Sequence, residues 1–262
     1  MDALGDRMKD YEAREAARSA LPLLPICLRL DGRGFSRWTK GLPRPYDERL
    51  HGLMVDVTRA LVEETGARVG YTQSDEISLV LYSDDYKSET FLGGKFQKLT
   101  SICASFATAR FNADVPDRIP EKTGLWAMFD CRAWTMPTLI EAANVLVWRE
   151  IDATKNSVQM AARTVASHKA LEGKGRADQM DILMAAGINW NDYPDGFKRG
   201  TYVIRERVTR GFTAEEVRRL PPMHVARREP DLVVERTDIR AVNLPPKVGV
   251  DALVALMEVA RV

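Results

Sequence analysis

The sequence predicts an α+β fold of the ferredoxin-like, split βαβ kind. Three observations carry that prediction. Short apolar runs of strand length lie at residues 26–30, 68–71, 77–82 and 125–129. Two longer stretches between them repeat their apolar residues at helical spacing. The order along the chain is strand, helix, strand, strand, helix, strand, which folds into a four-stranded antiparallel sheet with helices on one face.

Each element has its own signal. The first twenty residues are charged and read as a helix, stopped by Pro22 and Pro25. Residues 26–30 are apolar and proline-bounded, the mark of a buried strand. Asp47 can cap the following helix, in which Leu50, Leu53, Met54, Val57, Ala60 and Leu61 recur at three and four residues. Gly66 suits its end. Only residues 72–76 separate the next two strands, so they form a hairpin; the second alternates Ile77, Leu79 and Leu81 against Ser78, Val80 and Tyr82. Helical spacing returns in Phe91, Phe96, Leu99, Ile102, Cys103 and Phe106. After Pro137 two helical stripes follow, one through Leu139, Ile140, Ala143, Leu146 and Val147, another through Val158, Ala161, Ala162 and Val165. A helix over 178–186 and a strand over 199–208 come next. From residue 214 arginines, carboxylates and prolines mix, and only a terminal helix near 251–259 is legible.

Composition narrows the function. With 45% hydrophobic and 29% charged residues the chain is ordinary for a globular protein. No apolar run approaches the ~20 residues of a membrane span, and the charged start is no secretory signal. A cytoplasmic protein is expected. The net charge of +1 leaves any basic surface to local clustering. Cys27, Cys103 and Cys131 stand far apart, without zinc spacing, and the three histidines are equally scattered. The chemistry is therefore to be sought among carboxylates.

Asp31 closes the first strand, and Asp75 with Glu76 occupies the hairpin turn. In a split βαβ sheet the first and third strands are central, so these acids meet at one sheet edge. Converging carboxylates repel unless a cation lies between them. Hard oxygen donors favour Mg²⁺, which takes one or two carboxylates and completes its shell with water and phosphate. The set implies a nucleoside triphosphate and two-metal chemistry with ions ~4 Å apart. Against this stands the plain alternative that acidic turns simply face water. Gly32 and Gly34 flank Arg33 and could offer backbone N–H groups to an anion, although no P-loop sequence is present. Arg33, Lys40, Arg44, Lys95 and Lys98 are cations available to phosphates.

These residues resemble a known family. Residues 28–35, Leu-Arg-Leu-Asp-Gly-Arg-Gly-Phe, resemble the R-x-D-G-R-x-F signature of tRNA-His guanylyltransferases. Residues 70–78, Gly-Tyr-Thr-Gln-Ser-Asp-Glu-Ile-Ser, resemble their G-Y-x-Q-S-D-E-x-S signature. Residues 5–12, 129–132, Trp148-Arg149 and 198–201 are also similar, so the likeness runs in order from about residue 5 to 207. It departs at Thr154-Lys155-Asn156-Ser157, where eukaryotic members carry His-Ile-Asn-Asn, as well as at Ser36 and Cys131. The bacterial and archaeal guanylyltransferase-like proteins share the first departure.

The resemblance implies a polymerase-palm-like catalytic core over 1–135 including the N-terminal helix. A helical extension and late strand would pack on it over 136–208, with a tail over 209–262. It implies two Mg²⁺ ions on Asp31 and Asp75, with Gly32 assisting and Glu76 a further catalytic acid. Nucleotide-contacting positions match Gly32, Arg33, Gly34, Phe35, Arg44, Ser74 and Lys95. The activity implied is 3′–5′ addition of nucleotides to the 5′ end of tRNA, using GTP and ATP, as templated repair of truncated tRNA. Non-templated addition of G to tRNA-His, and a palm-type nucleotide cyclase acting without RNA, are the alternatives. The second half carries the cations a tRNA would need, Arg149, Lys155, Arg163 and Lys169 with Asn156 among them. The family's usual assembly is a homotetramer.

Overall fold

Pro25 ends the N-terminal loop, and the apolar run after it enters the sheet as β1 (Ile26–Gly32). The computed structural model describes residues 3–229, 231–246 and 248–259. Its sheet adds β2 (Val69–Gln73), β3 (Glu76–Leu81), β4 (Phe129–Thr135), β5 (Thr201–Gly211) and β6 (Val233–Val242). The spatial order is β4-β1-β3-β2-β5-β6, and every neighbouring pair is antiparallel. The first four strands thus take the arrangement expected of a split βαβ unit, with β1 and β3 central.

Helix α1 (Ala3–Ala16) precedes the sheet and buries no residue. Between the first four strands lie α2 (Phe35–Trp38), α3 (Glu48–Thr65) and α4 (Phe96–Arg118). Between β4 and β5 come α5 (Leu139–Ala162), α6 (His168–Leu171), α7 (Arg176–Ala185) and α8 (Asp195–Arg199). Helix α9 (Ala214–Arg219) separates β5 from β6, and α10 (Val250–Val259) follows. Asp47 caps α3 as expected, its carboxylate accepting from the N–H groups of Arg49 and Leu50, and Gly66 closes that helix at φ 68°.

Strand alternation sorts the side chains onto two faces. Leu28, Leu30, Ile77 and Leu79 pack with Leu53 and Leu61 of α3 and with Leu99 and Phe111 of α4. The intervening residues Cys27, Tyr71, Val80 and Tyr202 pack with Ala142, Ala143 and Leu146 of α5 and with Leu253 and Met257 of α10. Helices therefore cover both faces, where the split βαβ order alone predicted one.

Four further expectations are corrected. The fourth strand begins at Phe129, not at 125. Ala127 gives its N–H and C=O to the side-chain amide of Asn112, at 2.9 and 2.8 Å, so residues 125–128 are held outside the ladder. The two helical stripes after Pro137 are one 24-residue helix, α5, capped by Thr138. The late strand runs on to Gly211, past the expected 208. The charge-mixed tail contains β6, which pairs with β5 from Tyr202 to Gly211. Beyond Ile204 that pair is a two-stranded ribbon without β2 beside it, so it has no apolar face for a sequence pattern to reveal.

Candidate active site

The antiparallel register brings acids together at one end of the sheet. Asp31 pairs with Glu76 on β3 and with Asp130 on β4, so three carboxylates lie in a row across adjacent strands. Asp75 follows in the two-residue turn between β2 and β3, and its carbonyl accepts the N–H of Gly32 at 3.1 Å. That bond ties the turn to the end of β1. Ser74 holds the turn with a left-handed φ of 51°, uncommon for serine, and its hydroxyl donates to the Asp75 carboxylate at 2.9 Å. Burial pushes the Asp75 carboxyl above its usual range, the negative charge of Asp31 adds to the rise, and the Ser74 hydrogen bond opposes it.

Glu76 is held differently. Arg149 of α5 grips both of its oxygens, Nε to Oε1 at 2.6 Å and Nη2 to Oε2 at 2.8 Å, and reaches Asp152 at 3.1 Å. Burial still raises the Glu76 carboxyl, against the lowering by Arg149 and Arg29. The exposed Trp148 ring lies 5.6 Å from the Arg29 guanidinium and 4.6 Å from that of Arg149. Two corrections follow. Glu76 is a buried partner of Arg149, not an open acid. Arg149, expected on a tRNA-facing surface, is only 7% exposed and serves the acid cluster from beneath.

The remaining expected residues divide. Arg33 is exposed directly beyond Gly32, but its N–H donates to the Met128 carbonyl at 2.8 Å, and the Gly32 N–H is taken by Asp75. The anion nest expected there is therefore reduced to Gly34, at φ 66°, and the start of α2. Phe35 is a core residue, its ring within 5.6 Å of those of Trp38, Phe111 and Phe129, so only its backbone can face a nucleotide. Arg44 is exposed in the loop before α3. Lys95 does not join the site within one chain. It precedes Thr108, which bonds the Phe129 N–H near the acids, by 13 residues of chain, about 20 Å of helix. Helix α4 runs toward the acids from the opposite end of the sheet, and Lys98 shares its early turns there.

Beside the hairpin is a small cavity of about 70 Å³. Gln73 and Ser74 border it from the hairpin, His51 from α3, Asn156 and Ser157 from α5, and Phe197 from α8. His51 shares a 3.0 Å hydrogen bond with the Thr201 hydroxyl, and burial lowers its imidazole from the usual histidine range. Ser74 and Asn156, expected from different parts of the chain, thus share one wall. Lys155, Arg163 and Lys169 are exposed on and after α5, leading away from the acids. The sequence reading missed Asp130, visible only through the β4 register, and the Glu76–Arg149 pair, whose members stand 73 residues apart.

The donor set suits a hard divalent cation. Asp31 and Asp75 offer two carboxylates, one of them raised by burial and by the other's charge, while Glu76 is committed to Arg149. Among the described residues no group of three or more histidine, cysteine or acidic side chains is arranged to enclose a metal. An open two-carboxylate site completed by water and phosphate is the kind Mg²⁺ accepts.

The family profile described as tRNAHis guanylyltransferase (Thg1) matches residues 5–137. The chain belongs to that family. Membership makes it a nucleotidyltransferase. It is 30% identical to the tRNA(His) guanylyltransferase of Neurospora crassa over 73% of this chain and 70% of that one. A bacterial tRNA(His) guanylyltransferase (Thg1)-like protein solved with ATP superposes at a TM-score of 0.73, with 38% identity, over 77% of this chain and 88% of that one. A bacterial protein of the same description solved with GTP covers both chains fully, at a TM-score of 0.74 and 28% identity. The fold is that of the palm-type polymerases in this family.

Proposed function

We propose that this chain extends the 5′ end of tRNA in the 3′–5′ direction, as template-dependent repair of 5′-truncated tRNA, with Mg²⁺ held by Asp31 and Asp75. The observation that carries the reading is the joining of the two aspartates through the Gly32 N–H and the Asp75 carbonyl. The nucleotide complexes of the bacterial relatives support triphosphates as co-substrates.

A monophosphorylated 5′ end is activated with ATP or GTP. In that activation an oxygen of the 5′ phosphate bonds to the α-phosphorus of the triphosphate and pyrophosphate leaves. The 3′-hydroxyl oxygen of the incoming nucleotide then loses its proton to solvent and bonds to the 5′ phosphorus, and the activating nucleoside monophosphate leaves. On an end that is already triphosphorylated the leaving group is pyrophosphate. When bound, two Mg²⁺ ions make the attacking hydroxyl more acidic and neutralise the departing charge. Asp31 and Asp75 position them, Arg33 and Arg44 steady the phosphates, and the Ser74 hydroxyl orients the Asp75 carboxylate. The cavity beside Ser74 is the place for the nucleotide's sugar or base. Lys155, Arg163 and Lys169 lie along an exposed path suited to an RNA backbone. Base pairing to the opposite acceptor strand selects the nucleotide, which fits the change from His-Ile-Asn-Asn to Thr154-Lys155-Asn156-Ser157. Ile140, Trp148 and Ile151 are exposed on α5 and support a subunit contact there, in the homotetramer we propose for the assembly. No described helix is long and apolar enough to cross a membrane, and we assign the protein to the cytoplasm with its substrate.

The test supplies a triphosphorylated tRNA lacking its first nucleotide, Mg²⁺ and each nucleoside triphosphate singly. Extension only by the complementary nucleotide is expected. Addition of G whatever the opposing base would establish the guanylyltransferase alternative instead, and no extension would reject both.

A further inference from the structure

The loop at residues 123–128, outside the sheet, exposes three large apolar side chains on a fixed backbone. Trp126 is 74% exposed, Leu125 53% and Met128 52%. Such residues on a mobile loop would be unremarkable. Here the backbone groups of the residues on either side of Trp126 are held. The buried Trp38 donates its ring N–H to the Leu125 carbonyl at 2.9 Å. Asn112 takes both backbone groups of Ala127. Arg33 donates its N–H to Met128 at 2.8 Å. Lys122, buried at the start of the loop, donates to the Lys40 carbonyl at 2.7 Å.

The loop is also placed by those bonds. Met128 is bonded to the residue that follows Gly32, and the next two residues pair with Gly32 and Asp31. Trp126 therefore stands a few residues from the two aspartates, on the β4 side. Cations line the segment bonded to it, while the acids Glu121 and Asp130 flank the two ends of the loop. Arg33, Arg37 and Lys40 are exposed on the segment bonded to the loop, and no acid occurs from residue 33 to 46 or from 122 to 129. An exposed rigid aromatic ring among cations is the chemistry that binds unpaired or terminal nucleobases.

We propose that Trp126 is a stacking platform for a nucleobase at the open end of the RNA acceptor stem, positioning the 5′ terminus over Asp31 and Asp75. The proposal rests on the reading that an RNA 5′ end is the substrate. Leu125 and Met128 flank the ring and exclude water from the stacked base, while Arg33 and Arg37 meet the adjoining phosphates. Because the loop is already fixed, little ordering opposes the contact.

The test uses the full chain and a triphosphorylated acceptor-stem duplex lacking its 5′ nucleotide. Trp126→Ala should raise the KM for the duplex by roughly tenfold or more, the scale of one lost base stack, with the KM for the nucleoside triphosphate unchanged. Trp126→Phe should recover most of the loss. Quenching of tryptophan emission by the duplex should be large in the wild type and much reduced in Trp126→Phe. An unchanged duplex KM in Trp126→Ala, in a wild type that extends the duplex, overturns the stacking role alone. A wild type that neither binds nor extends the duplex overturns the functional reading beneath it. A shift in oligomeric state of Trp126→Ala, with duplex and triphosphate KM altered together, would make the ring a subunit contact and reject the proposal.

Discussion

Asp75 carries the conflict on which the site depends. Its carboxyl is pushed up by burial and by the charge of Asp31, so its ionised form is less favourable in the folded chain than in the unfolded one. A group with a raised folded pKa contributes stability that is present below its unfolded pKa and lost as pH rises through the folded pKa. Near pH 7 and without metal, Asp75 and the similarly raised Glu76 therefore weaken the fold, and a bound cation relieves the strain. Asp75→Asn should abolish nucleotide addition yet raise the melting temperature of the metal-free protein at pH 7. Around pH 3, below both values, the two melting temperatures should converge. Calorimetry at the two pH values decides it; a variant less stable than wild type at pH 7 would mean that the Ser74 hydrogen bond outweighs burial. At Glu76 Arg149 offsets part of the same conflict, and its removal would leave a buried charge uncompensated, a cost of about 3–5 kcal/mol.

At the scale of elements, the hairpin that holds Asp75 is positioned by the close seating of β2 on α3. A methyl group at Gly70 would lie 2.7 Å from Cγ2 of Val62 and 2.8 Å from Cγ2 of Thr58, both fully buried in the C-terminal half of α3. Gly70→Ala should therefore cost about 1–3 kcal/mol in denaturant unfolding, the range for overpacking a filled core, and lower activity through the displaced turn. Loss of activity without loss of stability would show that β2 shifts freely and that only the turn is affected. The hairpin and its acids were legible in the sequence because a tight link between two alternating runs has few other solutions. The stretch at 125–129 misled because its apolar residues serve an exposed loop held by Asn112, which no local pattern reports. Lys95 misled for a different reason. Helical spacing reveals a helix but not the direction in which it crosses a sheet, and α4 begins at the end away from the acids. The grip of Arg149 on Glu76 joins positions 73 residues apart, a contact that one sequence cannot display.

The whole molecule raises the question of whether the charge-rich tail is an appendage or part of the fold. Strand β6 pairs with β5 along its length, and α10 returns to the α5 face of the sheet, where Leu253 and Met257 are fully buried beside Tyr202 and Leu146. Burying those two side chains alone contributes about 3–6 kcal/mol at 1.5–3 kcal/mol each. That is comparable with the whole net stability of a typical domain, about 5–15 kcal/mol. A chain ended after Gly211 should therefore lose its cooperative thermal transition, or aggregate, although every residue proposed for catalysis remains. Circular dichroism melts and size-exclusion chromatography of the shortened protein provide the check. If it melts as the full chain does, the second face is closed by α5 alone and the tail serves another purpose. If it fails, the site at one end of β1 depends on a helix more than two hundred residues later in the chain. The reason would be that α5, which supplies Arg149 to Glu76, is held against the sheet partly by α10.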